Sequence, residues 1–263
     1  MTRRRWIADE FSGDRAALTG AHAAHLSRTL RARVGQQFDV SCGERVRRAT
    51  VSSVQDERVE FTLGEEVAAR EAVPITLLLA IFKFDRMEWA IEKCTELNVT
   101  TILPVIARRT EKHLALAADK RVERWRRIAR EAAEQSRRIA PPEIGDPEKL
   151  KEALAKLHVG DIPAVVPGED SGTSQATCCD LRIVLAETES EATLSEVLRA
   201  RDHVTSLALA VGPEGGWTAD ELQLFELSQW LAASLGDTIL RAETAAIAAV
   251  AVARAELESA TSN

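Results

Sequence analysis

The stretch that decides the fold is SLALAVGPEGGW, residues 206–217, where an apolar run stops abruptly at a glycine-rich loop. A second apolar run stops in the same way at LGDTILRAET, residues 235–244, and the alanine-rich sequence after it predicts a long helix. Glycine lacks a Cβ and tolerates positive φ, so the backbone of such loops can approach a ligand closely. Ligands of open α/β sheets bind at the carboxyl ends of the strands. The two loops therefore predict one ligand pocket, although GPEGG taken alone would also suit a tight turn.

A helix is predicted to begin directly after the first glycine loop. Thr218 is followed three residues later by Glu221. This spacing is that of a capping box, in which the two side chains satisfy the free N–H groups of the first helical turn. The first loop thus joins a strand to a helix.

The pattern of the whole chain indicates two domains, which we place at residues 1–68 and 69–263. Residues 37–63 alternate between apolar and polar, which is typical of an antiparallel sheet or a small barrel. The acidic residues 64–74 are predicted to be a linker. Continuous apolar runs then alternate with helical stretches, which indicates an α/β fold with a parallel sheet covered on both faces. These runs are residues 75–82, 101–107, 181–186, 206–211 and 231–235.

Composition and cysteine spacing fit a globular protein of the cytoplasm. With 263 residues, 45% of them hydrophobic, the chain can bury a sizeable core. No apolar run approaches the roughly 20 residues that span a bilayer, and no apolar segment of a secretory signal follows the basic N-terminus. The four cysteines form no Cys-x-x-Cys pair and have no histidine at metal-binding spacing. We therefore expect a cytoplasmic localisation, reduced thiols, no membrane partner and no metal.

The charge is unevenly distributed along the chain. The formal net charge is −7, yet residues 1–48 carry ten arginines against five acids, and residues 120–138 carry eight basic residues against three glutamates. Arg126, Arg130 and Arg137 recur at helical spacing and predict a basic face for RNA. The alternative is an ordinary solvated face, balanced by the glutamates of the same helix.

Five ordered motifs resemble the knotted SPOUT RNA methyltransferases, and most closely the family that methylates uracil N3 of 16S ribosomal RNA. Two of the motifs are the loops of residues 212–216 and 235–245. The others are DRMEWAIEKCTEL at 85–97, EAAEQSRR at 131–138 and PEI at 142–144. The resemblance runs in order over nearly the whole chain. It implies a PUA-like N-terminal β-barrel, a SPOUT α/β domain with a deep trefoil knot, and a homodimer.

The resemblance also implies S-adenosylmethionine as cofactor and 16S ribosomal RNA as substrate, within the assembled 30S ribosomal subunit. The cofactor-binding residues that it implies are Leu185, Ala186, Val211, Gly212, Pro213, Glu214, Gly216, Leu235, Gly236, Ile239, Leu240 and Thr244. The arginines expected to contact RNA are Arg3, Arg4, Arg28, Arg31, Arg86, Arg126, Arg130 and Arg137.

Methylation at N3 of uridine requires removal of an imide proton and stabilisation of the anion that spreads toward O2 and O4. Arg241 is the candidate for stabilising this anion, and Glu243 is the candidate for accepting the proton. For Glu243, a carboxylate that only favours the dipole of the last helix is an equal alternative. Arg138 of the neighbouring subunit is expected to contact a phosphate or base of the RNA. The alternative is that Arg138 is merely an exposed charge.

Three positions depart from the family pattern. Phe84 stands where the family usually has glycine, which predicts a reshaped loop because phenylalanine tolerates positive φ poorly. Asn98 replaces another common glycine, a milder change because asparagine accepts the left-handed conformation at a helix end. No second arginine follows Arg138, which leaves room for a different RNA target.

Three other functions compete with this prediction. A nicotinamide-dependent oxidoreductase would share the α/β pattern, but no Gly-x-Gly-x-x-Gly follows a strand. A non-catalytic RNA-binding protein would use the barrel and the basic helix but would leave the glycine loops without a ligand. A SPOUT methyltransferase acting on a different ribosomal or transfer RNA nucleotide would carry the same motifs.

Overall fold

This computed structural model describes residues 5–43, 45–67, 72–136, 138–157, 180–186, 192–201 and 203–260. The chain divides into two compact units. The first comprises Met1–Glu71 with Ala129–Pro141, and the second comprises Ala72–Ile128 with Pro142–Asn263. The domain boundary that we placed after residue 68 lies outside the described residues and stays a prediction.

The first unit contains a six-stranded sheet. Its strands are β1 (Arg5–Ile7), β2 (Glu10–Ser12), β3 (Arg15–Thr19), β4 (Gln37–Cys42), β5 (Arg45–Val54) and β6 (Arg58–Glu66), in the order β1-β4-β5-β6-β3-β2. Only the β1–β4 pair among them is parallel. Between β3 and β4 the chain forms α1 (Gly20–Ala24) and a π-helical turn (His25–Thr29). Trp6, Leu18, Leu26, Phe38 and Phe61 are buried in its core.

The alternating pattern of residues 37–63 is confirmed as the antiparallel strands β4, β5 and β6. The predicted linker was wrong at its start, because β6 continues to Glu66 through hydrogen-bonded pairing with β5. The three short strands β1, β2 and β3 were not predicted, because runs of three to five residues are too short to show a clear alternation.

The second unit contains a seven-stranded sheet in which every pairing is parallel. Its strands are β7 (Ile75–Ala80), β8 (Thr101–Ile106), β9 (Glu143–Ile144), β10 (Glu148–Lys149), β11 (Leu181–Leu185), β12 (Leu207–Val211) and β13 (Leu231–Ala233). The order is β10-β8-β7-β12-β11-β13, and β9 also pairs with β8. Each of the five predicted apolar runs forms one of these strands. All residues of β7 and β12 are buried, as in a parallel sheet covered on both faces.

Among the described residues, seven helices lie between these strands in the sequence or after the last of them. They are α2 (Phe84–Glu96), α3 (Lys112–Ala117), α4 (Val122–Gln135), α5 (Leu150–Lys156), α6 (Leu194–Arg199), α7 (Ala219–Leu227) and α8 (Ala242–Ala260). The chain is therefore a mixed α/β protein. Within the described ranges, we find no helix with the length and apolar character needed to cross a membrane.

The last helix is tied to the end of α2 through Arg254. Its guanidinium donates hydrogen bonds to the carbonyls of Val73 at 2.6 Å, Leu97 at 3.2 Å, and Asn98. Asn98 has φ +66°, so the left-handed conformation predicted for this asparagine is confirmed. The consequence is that α8, which begins beside the second glycine loop, is fixed to the body of the parallel sheet.

Candidate active site

Residues at the carboxyl ends of three strands line a cavity at one edge of the parallel sheet. The strands are β11, β12 and β13, which are neighbours and run in the same direction, so their carboxyl ends meet there. The first turn of α8 closes it with Ala242 and Ala245. Eleven of the twelve residues predicted to bind the cofactor line this cavity, and Thr244 is not among the lining residues. Those eleven are Leu185, Ala186, Val211, Gly212, Pro213, Glu214, Gly216, Leu235, Gly236, Ile239 and Leu240.

Glycine is needed in both loops for reasons of geometry. A Cβ on Gly212 would lie 3.3 Å from Nε1 of Trp217 and 3.4 Å from Cα of Gly216. Gly216 has φ +69° and Gly236 has φ +110°, a conformation that other residues rarely adopt. The loops therefore present backbone, and little side chain, to the cavity.

An aromatic stack supports the first glycine loop. The Trp217 ring packs against Phe225 with centroids 4.9 Å apart, and Phe225 packs against Trp230 at 5.2 Å. Trp217 lines the cavity, is 7% exposed, and its buried indole N–H has no hydrogen-bond partner among the described residues. No sequence pattern predicted a role for this tryptophan, although it directly follows GPEGG.

The capping box predicted after the loop is confirmed. Glu221 accepts hydrogen bonds from the backbone N–H and the hydroxyl of Thr218, both at 2.9 Å, at the start of α7. The other oxygen of this buried carboxylate accepts a hydrogen bond from the backbone N–H of Arg108 at 2.7 Å. Glu221 thereby joins the loop after β8 to the loop after β12.

Arg109, in the loop after β8, also lines the cavity and was missed by the sequence analysis. Its Nη1 donates hydrogen bonds to the carbonyl oxygens of Gly215 and, at 3.4 Å, Trp217. A Cβ on Gly215 would lie 3.2 Å from Cδ of Arg109, so the glycine makes room for the arginine. Only the fold brings this side chain to the site, because more than a hundred residues separate it from the loop that it contacts.

Arg86 links the first glycine loop to the last helix. Its guanidinium donates a hydrogen bond to Glu214 at 3.1 Å, and its Nε lies 3.7 Å from the carboxylate of Glu243. Lys83 lies 4.0 Å from Glu214 on the same side. Glu243 is 4% exposed, and one of its oxygens is buried without a hydrogen-bond partner among the described residues. Glu243 does not line the cavity.

The other two predicted catalytic residues, Arg241 and Arg138, are not among the residues that line the cavity. Arg241 is exposed immediately before α8, and its side chain forms no ion pair with a described residue. Arg138 is half-buried, and its backbone N–H donates to the carbonyl of Ala133 at 2.9 Å. Arg138 belongs to the first unit and Arg241 to the second.

Of the five described arginines predicted to contact RNA, four pair with acids: Arg28, Arg86, Arg126 and Arg130. Arg28 lies 3.2 Å from Asp56, and Arg126 contacts Glu123 at 2.7 Å and Asp146 at 3.0 Å. Arg31 adopts φ +52°, whereas Arg3, Arg4 and Arg137 lie outside the described residues. Pairing lowers the positive charge that these side chains offer to phosphate, as the alternative of a balanced face predicts. Their RNA contacts stay a prediction.

The motif at residues 131–138 takes part in a charged cluster of the first unit. Arg130 donates to Asp9 at 2.6 Å, and the His22 ring lies 3.7 Å from Asp9 and 3.5 Å from Glu134. The neighbouring carboxylate of Asp9 raises the pKa of His22. Burial raises the pKa of Glu134 against the opposing effect of His22 and Arg130.

Phe84 does not reshape a loop in the way that the sequence predicted. It is the first residue of α2 and is not among the described non-glycine residues with positive φ. Its ring packs against the buried Trp125, with centroids 6.1 Å apart, and the Arg121 guanidinium lies 4.7 Å from its centroid. The bulky side chain therefore fills the contact between α2 and α4 without a strained backbone.

The cavity loops lie within a region that matches a known family. Residues 69–254 match the family described as RNA methyltransferase domain. Ribosomal RNA small subunit methyltransferase E from Synechocystis sp. is 32% identical over 243 residues, which cover 92% of this chain and 73% of that protein. The protein of the same name from Bacillus subtilis is 28% identical over 239 residues, covering 89% of this chain and 87% of that protein.

The fold is similar to a solved structure over almost its full length. A crystal structure of Ribosomal RNA small subunit methyltransferase E from Neisseria gonorrhoeae, bound to S-adenosyl methionine, has a TM-score of 0.77 and 28% sequence identity. The similarity covers 95% of this chain and 96% of that chain.

Proposed function

Since this chain belongs to the RNA methyltransferase family, together with the ribosomal RNA small subunit methyltransferase E proteins, we propose that it transfers a methyl group from S-adenosylmethionine to N3 of a uridine in 16S ribosomal RNA. The observation that carries the proposal is the cavity at the carboxyl ends of β11, β12 and β13. The bound cofactor of the Neisseria gonorrhoeae relative supports the choice of ligand.

The residues of the cavity fit this cofactor. The backbone of Gly212–Gly216 and Leu235–Leu240 lines the cavity, and its glycines carry no side chain that would stand between the backbone and the adenosine. The Trp217 ring forms part of the cavity wall. S-adenosylmethionine supplies an electrophilic methyl group when it is bound.

We propose that Arg241 stabilises the negative charge that develops on O2 and O4 of the uracil ring. The residue is exposed, directly follows the second glycine loop, and has no acidic partner among the described residues. A preorganised cation at the place where charge develops is the usual way to lower such a barrier. Arg138 is proposed to contact the RNA from the second subunit of a homodimer.

For Glu243, the geometry supports an anchoring role more directly than proton acceptance. Its carboxylate is buried, lies outside the cavity lining, and faces Arg86. A proton acceptor must come within hydrogen-bond reach of the atom that it deprotonates. To accept the proton, Glu243 would have to move into the cavity. To anchor Arg86, which in turn holds Glu214 of the glycine loop, it can stay where it is.

Three further features belong to the same proposal. We propose a PUA-like barrel for the first unit, a trefoil knot in the second, and the assembled 30S subunit in the cytoplasm as substrate. The six-stranded sheet of the first unit and the parallel sheet of the second support the architecture. The relatives are named as methyltransferases of ribosomal RNA of the small subunit, which supports this substrate.

Methyl transfer to purified small subunits tests this function. We expect radiolabel from S-adenosylmethionine to enter 16S ribosomal RNA as 3-methyluridine, with more label in assembled 30S subunits than in naked RNA. The subunits should come from a strain without the corresponding gene, so that the site is unmodified. Label at another ribosomal or transfer RNA nucleotide would move the activity to a different target, and binding of RNA without any transfer would favour a non-catalytic RNA-binding protein.

A further inference from the structure

Arg109 enters the cavity from a loop whose position is fixed by several contacts. The backbone N–H of Arg108 donates to the buried Glu221 at 2.7 Å. The Thr110 hydroxyl accepts from the backbone N–H of Ala107 and donates to the carbonyl of Ile81, both at 3.1 Å. The backbone on either side of Arg109 is therefore held against the sheet, so the side chain starts from a defined point at the cavity edge.

The guanidinium of Arg109 is oriented by backbone and not by an acid. Nη1 is engaged by the carbonyls of Gly215 and Trp217, but a guanidinium carries five N–H groups, so donors on Nε and Nη2 are left over. No carboxylate of the described residues lies within ion-pair distance. Arg86, close by, differs because Glu214 and Glu243 balance its charge.

Among the described residues, the charged side chains that line the cavity are Arg109, Asp237 and Glu214, and Glu214 is already paired with Arg86 outside the lining. A planar guanidinium with two free donors matches a carboxylate through two parallel hydrogen bonds. S-adenosylmethionine has one carboxylate, at the methionyl end. We propose, on the basis of the function proposed above, that Arg109 binds this carboxylate and thereby recognises the methionyl end of the cofactor.

A phosphate of the RNA is the other oxyanion that could reach an exposed arginine. The cofactor is favoured because Arg109 is held by Gly215 and Trp217 of the loop that lines the cofactor cavity. An arginine that served RNA would not need to be fixed to this loop.

Calorimetric titration with two ligands tests the proposal on the full-length protein. S-adenosylhomocysteine retains the carboxylate, whereas 5′-methylthioadenosine lacks the whole aminocarboxypropyl group. In the variant Arg109→Met, we expect the affinity for S-adenosylhomocysteine to fall about tenfold to a hundredfold, and that for 5′-methylthioadenosine to change less than about threefold. Arg109→Lys should retain part of the preference, because the charge remains and the planar fork is lost.

A second variant guards against loss of folding in Arg109→Met. Gly215→Ala leaves the arginine in the chain but puts a Cβ 3.2 Å from its Cδ, so the side chain must move and the same selective loss is expected. An equal loss for both ligands would overturn the proposal, because it would mean that Arg109 only holds the loop. Unchanged affinities with a raised KM for 30S subunits would overturn it in favour of RNA phosphate. Failure of the wild-type protein to bind either ligand would overturn the proposed function itself.

Discussion

At Gly236, the φ of +110° admits glycine and almost nothing else, with open space where a Cβ would stand. The variant Gly236→Ala is therefore strained by backbone alone, at a cost of about 1–3 kcal/mol. We expect the second loop to shift and the dissociation constant for S-adenosylmethionine to rise at least about tenfold, measured by calorimetric titration.

Gly13 provides the matched control for this variant. It also has positive φ, +56°, with nothing within 4 Å of a Cβ, but it lies in the first unit. Gly13→Ala should strain the backbone less, because its φ lies in the left-handed region that Arg31 also adopts at φ +52°, and it should leave cofactor affinity unchanged. Equal effects of the two substitutions on binding would show that general destabilisation, and not the shape of the loop, is responsible.

Variants of Glu243 and Arg86 distinguish an anchoring role of Glu243 from a role as proton acceptor. If Glu243 anchors Arg86, then Glu243→Gln and Arg86→Met should each raise the dissociation constant of the cofactor, and the double variant should be little worse than either single one, since both break the same link. Cofactor binding and single-turnover methyl transfer measure the two effects. A Glu243→Gln variant that binds the cofactor normally but loses turnover across the pH range would instead identify Glu243 as the group that accepts the N3 proton.

The elements that could be predicted are those with a strong local pattern. The five buried strands and the capped start of α7 follow from apolar runs and from Thr218 with Glu221, which are visible in a single sequence. The cavity could be predicted because its glycines sit next to strand ends. Arg109, and the ion pairs of Arg86, depend on residues more than a hundred positions apart, for which no local pattern exists.

The junction of α2 and α8 rests on Arg254. Replacement by methionine leaves the carbonyls of Val73, Leu97 and Asn98 without the donor of Arg254. These three hydrogen bonds are partly buried. We expect the free energy of unfolding to fall by about 2–4 kcal/mol in urea titrations. Asn98→Gly, which suits φ +66°, should leave the stability nearly unchanged. A loss below about 0.5 kcal/mol for Arg254→Met would contradict this account of the junction.

The cluster that joins α1 to α4 predicts a pH dependence of stability. The pKa of His22 is raised above its ordinary value of 6.5, so its contribution is fully present below about pH 6.5 and is lost as the pH rises through the folded-state pKa. The contribution depends on Asp9 and Glu134, with Arg130 opposing the charge of the imidazole. Urea midpoints of the wild type should therefore fall more steeply between about pH 6 and pH 8 than those of His22→Gln. Parallel curves would contradict this assignment.

For the whole molecule, the net charge is a poor guide to an RNA partner. The net charge is −7, yet many arginines of the described residues are neutralised by nearby acids, as Arg126 is by Glu123 and Asp146. The net charge therefore does not exclude RNA as a partner, and the number of arginines does not establish it. The strongest functional observation is the geometry of the three loops, which neither composition nor charge could have provided.

Calorimetric titration of the wild type and of Gly212→Val with S-adenosylmethionine shows whether the cavity binds this cofactor. The valine side chain would meet Nε1 of Trp217 and Cα of Gly216, since its Cβ alone would lie 3.3 Å and 3.4 Å from them. We expect one cofactor bound per wild-type chain and at least about a tenfold loss of affinity in the variant, with an unchanged folded fraction by circular dichroism. Absence of binding in the wild type, or equal affinity in both proteins, would contradict cofactor binding in this cavity.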